Sequence, residues 1–178
     1  MRRLGRDIGL LVVLAVLGMA AADRTALADA RMTDSEKRAR IDELYRGYRK
    51  DFPDVRDIET QEAMRLSQEG KALFIDVREP KEQAVSMLPS AVTAEEFLKD
   101  PGRYADRVLI GYCTISYRSG KLAQQLAAQG ITVLNLRGGI LAWAHAGGKL
   151  QDRAGETRRI HVYGRKWDLA PQGYETVW

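Results

Sequence analysis

The chain has 178 residues, of which 45% are hydrophobic and 29% charged. That suits a soluble globular protein with one domain plus extensions. The net charge of +4 comes from Lys and Arg scattered among Asp and Glu, with no dense basic stripe, which argues against nucleic acid as a partner. The single cysteine, Cys113, excludes an intrachain disulfide and a cysteine-based metal cluster. His145 and His161 are not spaced as a metal pair and are assigned no chemistry; no metal and no cofactor are expected.

Residues 1–30 read as an export signal. Arg2, Arg3 and Arg6 precede an apolar run from Ile8 to Ala22, and Ala26, Ala28 and Ala30 supply a small-residue cleavage pattern. The run is short for a membrane span of about twenty residues. The expected location is therefore the periplasm, with the leader removed. The alternative is an uncleaved anchor in the inner membrane, facing the periplasm, and only then is a membrane a partner.

Residues 31–52 form a helical extension. Thr33 can cap a helix running to about Lys50, with Glu36 three residues on, and Ile41, Leu44, Tyr45 and Tyr48 fall at helical spacing. A domain over 53–150 follows. Val55 to Ile58 reads as a short strand and Thr60 to Gln68 as a helix ended by Gly70. Ala72 to Ile75 is an apolar strand ending in Asp76-Val77-Arg78, and Ala94 to Lys99 is a helix. The run Val108 to Tyr112 is a second buried strand that leads directly to Cys113. Ser119 to Gln129 reads as a helix, Ile131 to Leu136 as a third strand, and Ile140 to Ala146 as a short helix after Arg137-Gly138-Gly139. Strands alternating with helices predict an α/β fold around a mostly parallel central sheet flanked by helices. Sites in such sheets form at the carboxyl ends of strands, where Asp76 and Cys113 both fall.

Cys113 opens a polar loop, Cys113-Thr114-Ile115-Ser116-Tyr117-Arg118-Ser119, between a strand and a helix. A helix N-terminus offers free N–H groups and positive potential, which favour a thiolate. Arg118 adds a forked cation suited to anionic oxygens. Together they suit nucleophilic attack on an anionic substrate.

This loop resembles the active-site loop of the rhodanese family, in which a cysteine begins a six-residue loop closing on arginine and then Ser or Thr. The segment LFIDVREPKEQ resembles the family strand that ends in Asp-Val-Arg before an acidic helix. LRGGILAWAHAGGKL resembles the segment that ends the domain. The stretch Ser86-Met87-Leu88-Pro89-Ser90-Ala91 departs from the family's Gly-His-Ile-Pro-Gly-Ala, and Ser116 stands where many members carry glycine. The resemblance covers about residues 53–150. It implies a rhodanese-like fold and thiosulfate sulfurtransferase activity through a persulfide on Cys113. The partners it implies are a small sulfur donor, a thiol or cyanide acceptor, and a protein that accepts the sulfur. Arg118 would orient the donor, and Thr114, Ile115, Ser116, Tyr117 and Ser119 would bind substrate through their amides. Asp76 and Arg78 would support the neighbouring loop, and Ser116 would narrow the pocket or donate a hydrogen bond.

Two other function classes stay open at this point. One is a persulfide carrier or binding module without turnover. The other is a phosphatase, which the four residues between Cys113 and Arg118 disfavour, because phosphatases sharing the fold have a longer loop. Residues 151–178 form a C-terminal extension, with strand-like alternation over Arg158–Gly164 and aromatic mass in Trp167, Tyr174 and Trp178. It is expected to wrap apolar surface, with a partner surface or a lid near the active loop as the alternative.

Overall fold

Asp57–Ile58 (β1), Ala72–Asp76 (β2), Val92–Thr93 (β3), Val108–Tyr112 (β4) and Leu134–Leu136 (β5) pair into one sheet in the order β1-β5-β4-β2-β3. Every neighbouring pair is parallel. The computed structural model describes residues 32–178; the expected export signal lies outside them. Among the described residues, no helix is long and apolar enough to cross a membrane.

The central strands β2 and β4 are continuous apolar runs because both faces of the sheet are covered, as in parallel sheets generally. Side-chain alternation sends Phe74 to one face and Leu73 and Ile75 to the other. On the first face Phe74, Ile110 and Tyr112 pack with Ile41 and Tyr45 of the N-terminal helix α1 (Asp34–Tyr48). Ile140 and Trp143, from the helix Gly139–His145, join them. On the second face Leu73 and Ile75 meet Phe52, Phe97, Ala123 and Leu126.

The other helices are α2 (Thr60–Gln68), α3 (Pro80–Gln83), α4 (Ala94–Lys99), α5 (Tyr117–Ala127) and α6, the Gly139–His145 helix above. Helix α1 gives way after Tyr48 to a 3-10 turn, Arg49–Asp51. The expected α/β architecture is observed, with shifted boundaries. Helix α5 starts two residues earlier than Ser119, so Arg118 lies in its first turn. β5 is shorter than the apolar run Ile131–Leu136, and β3 pairs with the end of β2 although two residues carry no readable period.

The tail is more regular than its sequence suggests. Leu150–Asp152 (β6) and Gly155–Thr157 (β7) form an antiparallel hairpin, and Arg159–His161 (β8) pairs in parallel with Glu175–Val177 (β9). Ile160, Val162, Leu169 and Ala170 are buried in the same core as α1 and α6. Lys37 Nζ donates to the Ala170 carbonyl at 2.7 Å, and His145 Nε2 lies 2.8 Å from the Leu169 carbonyl. The segments 34–52 and 151–178 are thus packed parts of one body with residues 53–150.

Candidate active site

The site forms where β4 ends. Tyr112 is the last residue of the strand and is buried beneath the loop. Its hydroxyl donates to Asp76 Oδ2 at 2.5 Å and accepts from the Leu88 amide at 3.2 Å. Asp76 also accepts from the Arg78 amide and Nε at 3.0 Å each, and from Arg78 Nη2 at 2.7 Å. Arg78 Nη2 in turn donates to the Ser86 carbonyl. Asp76 and Arg78 have side chains closed to solvent, so they brace the segment 86–88 from below and do not face the pocket. Burial, reinforced by the Asp76 charge, pushes the Tyr112 phenol well above its ordinary range. Tyr112 therefore serves as a hydrogen-bonding strut at any ordinary pH.

Cys113 follows as the floor of a pocket and is 2% exposed. Its carbonyl accepts from the Ile140 amide at 2.9 Å, and the Thr114 carbonyl lies 3.4 Å from the Leu141 amide. This close approach explains Gly138-Gly139. A Cβ on Gly139 would stand 2.3 Å from the Cys113 carbonyl oxygen, and its φ is +59°, a region favourable only to glycine.

The loop then turns through Ser116, whose φ is +73°. That is why glycine suits this position. The Ser116 hydroxyl donates to the Leu136 carbonyl at 2.6 Å. Ser119 donates to Asn135 Oδ1 at 2.7 Å, and Asn135 Nδ2 donates to the Ser116 carbonyl at 3.2 Å. The side chains of Ser116 and Ser119 therefore tie the loop to β5 and do not project into the pocket. Only their amides remain available to a substrate. Ser90, at the second departure from the family pattern, likewise sits at positive φ, +57°. Two serines thus adopt the backbone that glycine adopts easily.

The first bond of α5 runs from the Gly120 amide to the Ser116 carbonyl at 3.1 Å. The amides of Tyr117, Arg118 and Ser119 are consequently the free N–H groups of a helix start, beside Cys113. Arg118 joins them with its guanidinium held in a fork. Nη1 donates to Glu82 Oε2 at 2.5 Å and Nη2 to Glu82 Oε1 at 2.8 Å. Nη2 also reaches Thr114 Oγ1 at 3.2 Å. Burial alone would lower the Arg118 pKa. The hydrogen bonds to Glu82 and the facing Cys113 outweigh it and hold the cation more firmly than usual.

Glu82 escaped the sequence reading. It is buried in α3, and its Oε2 accepts from the Glu79 amide at 2.9 Å. Burial raises its pKa, but Arg118, the Glu79 amide and the Arg78 charge together hold it below the ordinary carboxylate range. The available signal was an acidic residue in the first turn of a Pro-initiated helix, at the carboxyl end of β2. His161, to which the sequence assigns no chemistry, packs beside Glu82. It is 4% exposed, its Nδ1 accepts from the Tyr163 amide at 3.0 Å, and it lies 4.0 Å from Glu82 Oε1. Burial lowers its pKa despite that carboxylate.

The pocket over Cys113 has a volume of about 350 Å³ and is walled by Thr114, Ile115, Tyr117 and Arg118 of the loop, with Tyr48, Tyr163 and Trp167 added from outside it. A larger hollow of about 510 Å³, lined by Asp42, Tyr45, Arg137 and His145 among others, includes no residue of the loop. Among the described residues, no group of His, Cys, Asp and Glu could hold a metal ion.

A family model described as a rhodanese-like domain matches residues 59–146. A sulfurtransferase of Allochromatium vinosum is 37% identical over 99 residues, covering 52% of this chain and 92% of that protein. An uncharacterized protein of Synechocystis sp. is 33% identical over 86 residues, covering 46% of this chain and 48% of that protein. Among solved structures, a rhodanese-like domain protein from Staphylococcus aureus is 27% identical. That match covers 56% of this chain and 99% of that one, with a TM-score of 0.47. The matched segment holds strands β2 to β5 and the Cys113 loop, with β1 just before it, and the chain spans nearly all of the A. vinosum protein. The chain belongs to the rhodanese-like family.

Proposed function

We propose that the protein is an exported sulfurtransferase that moves sulfane sulfur from a thiosulfate-like donor to a thiol or cyanide acceptor through a persulfide on Cys113. The observation that carries this reading is the placement of Cys113 on the floor of a pocket, beside the Arg118 cation and the free amides at the start of α5.

The Cys113 thiolate attacks the outer sulfur of thiosulfate. The S–S bond of the donor breaks and sulfite departs with the electron pair. The amides of Tyr117 to Ser119 stabilise the negative charge on the transferred sulfur, as donors do in an oxyanion hole. An acceptor thiolate or cyanide then attacks the terminal sulfur and returns Cys113 to thiolate. The sulfurtransferase relative supports this chemistry, and the apolar run behind Arg2, Arg3 and Arg6 supports export.

Intact-mass spectrometry before and after thiosulfate tests the reading. The expected result is a gain of one sulfur atom that cyanide removes and that Cys113→Ser abolishes. Sulfur transfer undiminished in Cys113→Ser overturns it. A stoichiometric persulfide that cyanide does not discharge replaces turnover with a carrier role. Fractionation against a periplasmic marker tests export, and recovery in the cytosol overturns it.

A further inference from the structure

Thiosulfate is a handful of atoms. The hollow above Cys113, at about 350 Å³, falls in the range of about 300–1,000 Å³ that holds organic ligands. Its outer wall is aromatic. Tyr48 stands edge-on to Tyr117 with ring centroids 5.3 Å apart, and Tyr163 stands edge-on to Trp167 at 5.1 Å. Trp167 Nε1 donates to the Tyr48 hydroxyl at 3.3 Å, which ties the tail to α1. Tyr48, Tyr163 and Trp167 all lie outside residues 59–146, the segment matched by the family model. The N- and C-terminal segments of this chain therefore supply this wall.

Two features show that the wall is built. Tyr163 has a φ of +69°, a conformation unfavourable to a bulky side chain, yet the residue is 47% exposed and so gains little from core burial. Its backbone is held by the bond from its amide to His161 Nδ1, and its ring lies 5.0 Å from the Arg118 guanidinium carbon. The charge pattern is also directional. Arg118 sits over Tyr163, and Lys166 Nζ sits 3.9 Å from the Trp167 ring centre. Cations at both positions repel a cationic ligand and favour an anion. Both terminal nitrogens of Arg118 are already engaged by Glu82, so an inorganic dianion gains less from it than from a free arginine. An aromatic body beside the anionic head supplies the missing affinity by burial.

We propose that the pocket selects organosulfur anions with a flat aromatic tail, the arylthiosulfonate class, as sulfur donors. This rests on the Cys113 persulfide reading. In the step, the Cys113 thiolate attacks the terminal sulfur of R–SO2–S⁻. The bond between the two sulfurs breaks, R–SO2⁻ leaves with its electron pair, and Cys113 keeps the transferred sulfur as a deprotonated persulfide. The aromatic tail lies against Tyr163, Trp167 and Tyr117.

Benzenethiosulfonate and methanethiosulfonate share the reactive head and differ only in the tail. The kcat/KM ratio of the two, divided by the ratio of their rates with a free small thiol, isolates the pocket's share. The expected value is roughly tenfold or more in favour of the aryl compound, the scale of discrimination that an apolar pocket provides. It should fall toward one in Trp167→Ala. Tyr163→Asn is the second variant, because asparagine tolerates positive φ and an exposed ring is removed without opening the core. A corrected ratio near one in the unaltered protein, or one unchanged in both variants, overturns the proposal. Calorimetric binding of the two compounds to Cys113→Ser separates this from the chemistry. If neither compound sulfurates Cys113, the persulfide reading falls, and the binding data still decide the pocket. Binding of the aryl compound tighter by about tenfold or more upholds its selectivity, and equal binding overturns it.

Discussion

Glu82 grips both terminal nitrogens of Arg118, at 2.5 and 2.8 Å, within the Cys113 site. The arginine expected to meet the donor's anionic head is thus an oriented cation with a resident counter-ion. This pairing has opposite consequences for the two residues. Removing Arg118 leaves a buried carboxylate beside an incoming anion. Removing the charge of Glu82 frees the fork.

Arg118→Ala should therefore raise the thiosulfate KM roughly ten- to a hundredfold, the equivalent of losing a charged hydrogen bond worth about 1.5–3 kcal/mol. Adding Glu82→Gln to it should recover part of the loss, because the uncompensated carboxylate is gone. The four KM values of the double-mutant cycle measure the coupling. A double variant no better than Arg118→Ala would show that Glu82 exerts no charge effect on the donor.

Glu82→Gln alone should lower stability by about 1.5–3 kcal/mol, since the partly buried Arg118 cation loses its counter-ion and one of its two acceptor oxygens. A denaturant midpoint within error of the parent protein would contradict the structural weight given to this pair.

The parts of this site legible in the sequence were those written into contiguous motifs. The apolar run Val108–Tyr112 announces a buried parallel strand, and the polar loop after it announces a strand-end site. Gly138-Gly139 was visible as a motif, although its reason, contact with the Cys113 carbonyl, needs coordinates. Glu82 meets Arg118 across 36 residues, and no local period encodes that meeting. For Ser116 and Ser119 the resemblance implies amide contacts to substrate and leaves the direction of the hydroxyls open. Their hydroxyls turn to β5, because buried loop carbonyls and amides must find partners there. Tyr163 and Trp167 were visible as tail aromatics, but their place over the pocket depends on how β8 and β9 pair, and two three-residue strands leave little pattern.

Ser116 yields an ordering of variants. Ser116→Ala loses the bond to the Leu136 carbonyl while keeping the positive φ, so it should be less stable than the parent by about 1 kcal/mol. Ser116→Gly loses the same bond but gains relief from the left-handed backbone, worth about 1–2 kcal/mol for a residue with a Cβ. It should match or exceed the parent. Thermal midpoints in which the glycine variant falls below the alanine variant would refute the account of this turn.

Acid stability follows from two groups whose folded pKa values are depressed. Burial disfavours the His161 imidazolium and keeps its pKa below the ordinary 6.5. Glu82 is held below the ordinary 4.5; burial opposes this, and its bonds from Arg118 and the Glu79 amide overcome it. In both cases the unfolded chain binds more protons than the folded one, so stability rises with pH through each window. The His161 contribution is complete above pH 6.5 and is lost as pH falls from there through its folded value. The Glu82 contribution is complete above pH 4.5 and is lost below it. Urea midpoints measured from about pH 8 down to about pH 2 should therefore decline in two stages. His161→Asn keeps an acceptor for the Tyr163 amide and should shrink the upper stage. Some of that stage should persist, because burial also depresses His145. Glu82→Gln should flatten the lower stage and leave the upper one in place. Stability that rises on acidification below pH 6.5, or an upper stage untouched by His161→Asn, would show that His161 is not held neutral by its burial beside Glu82.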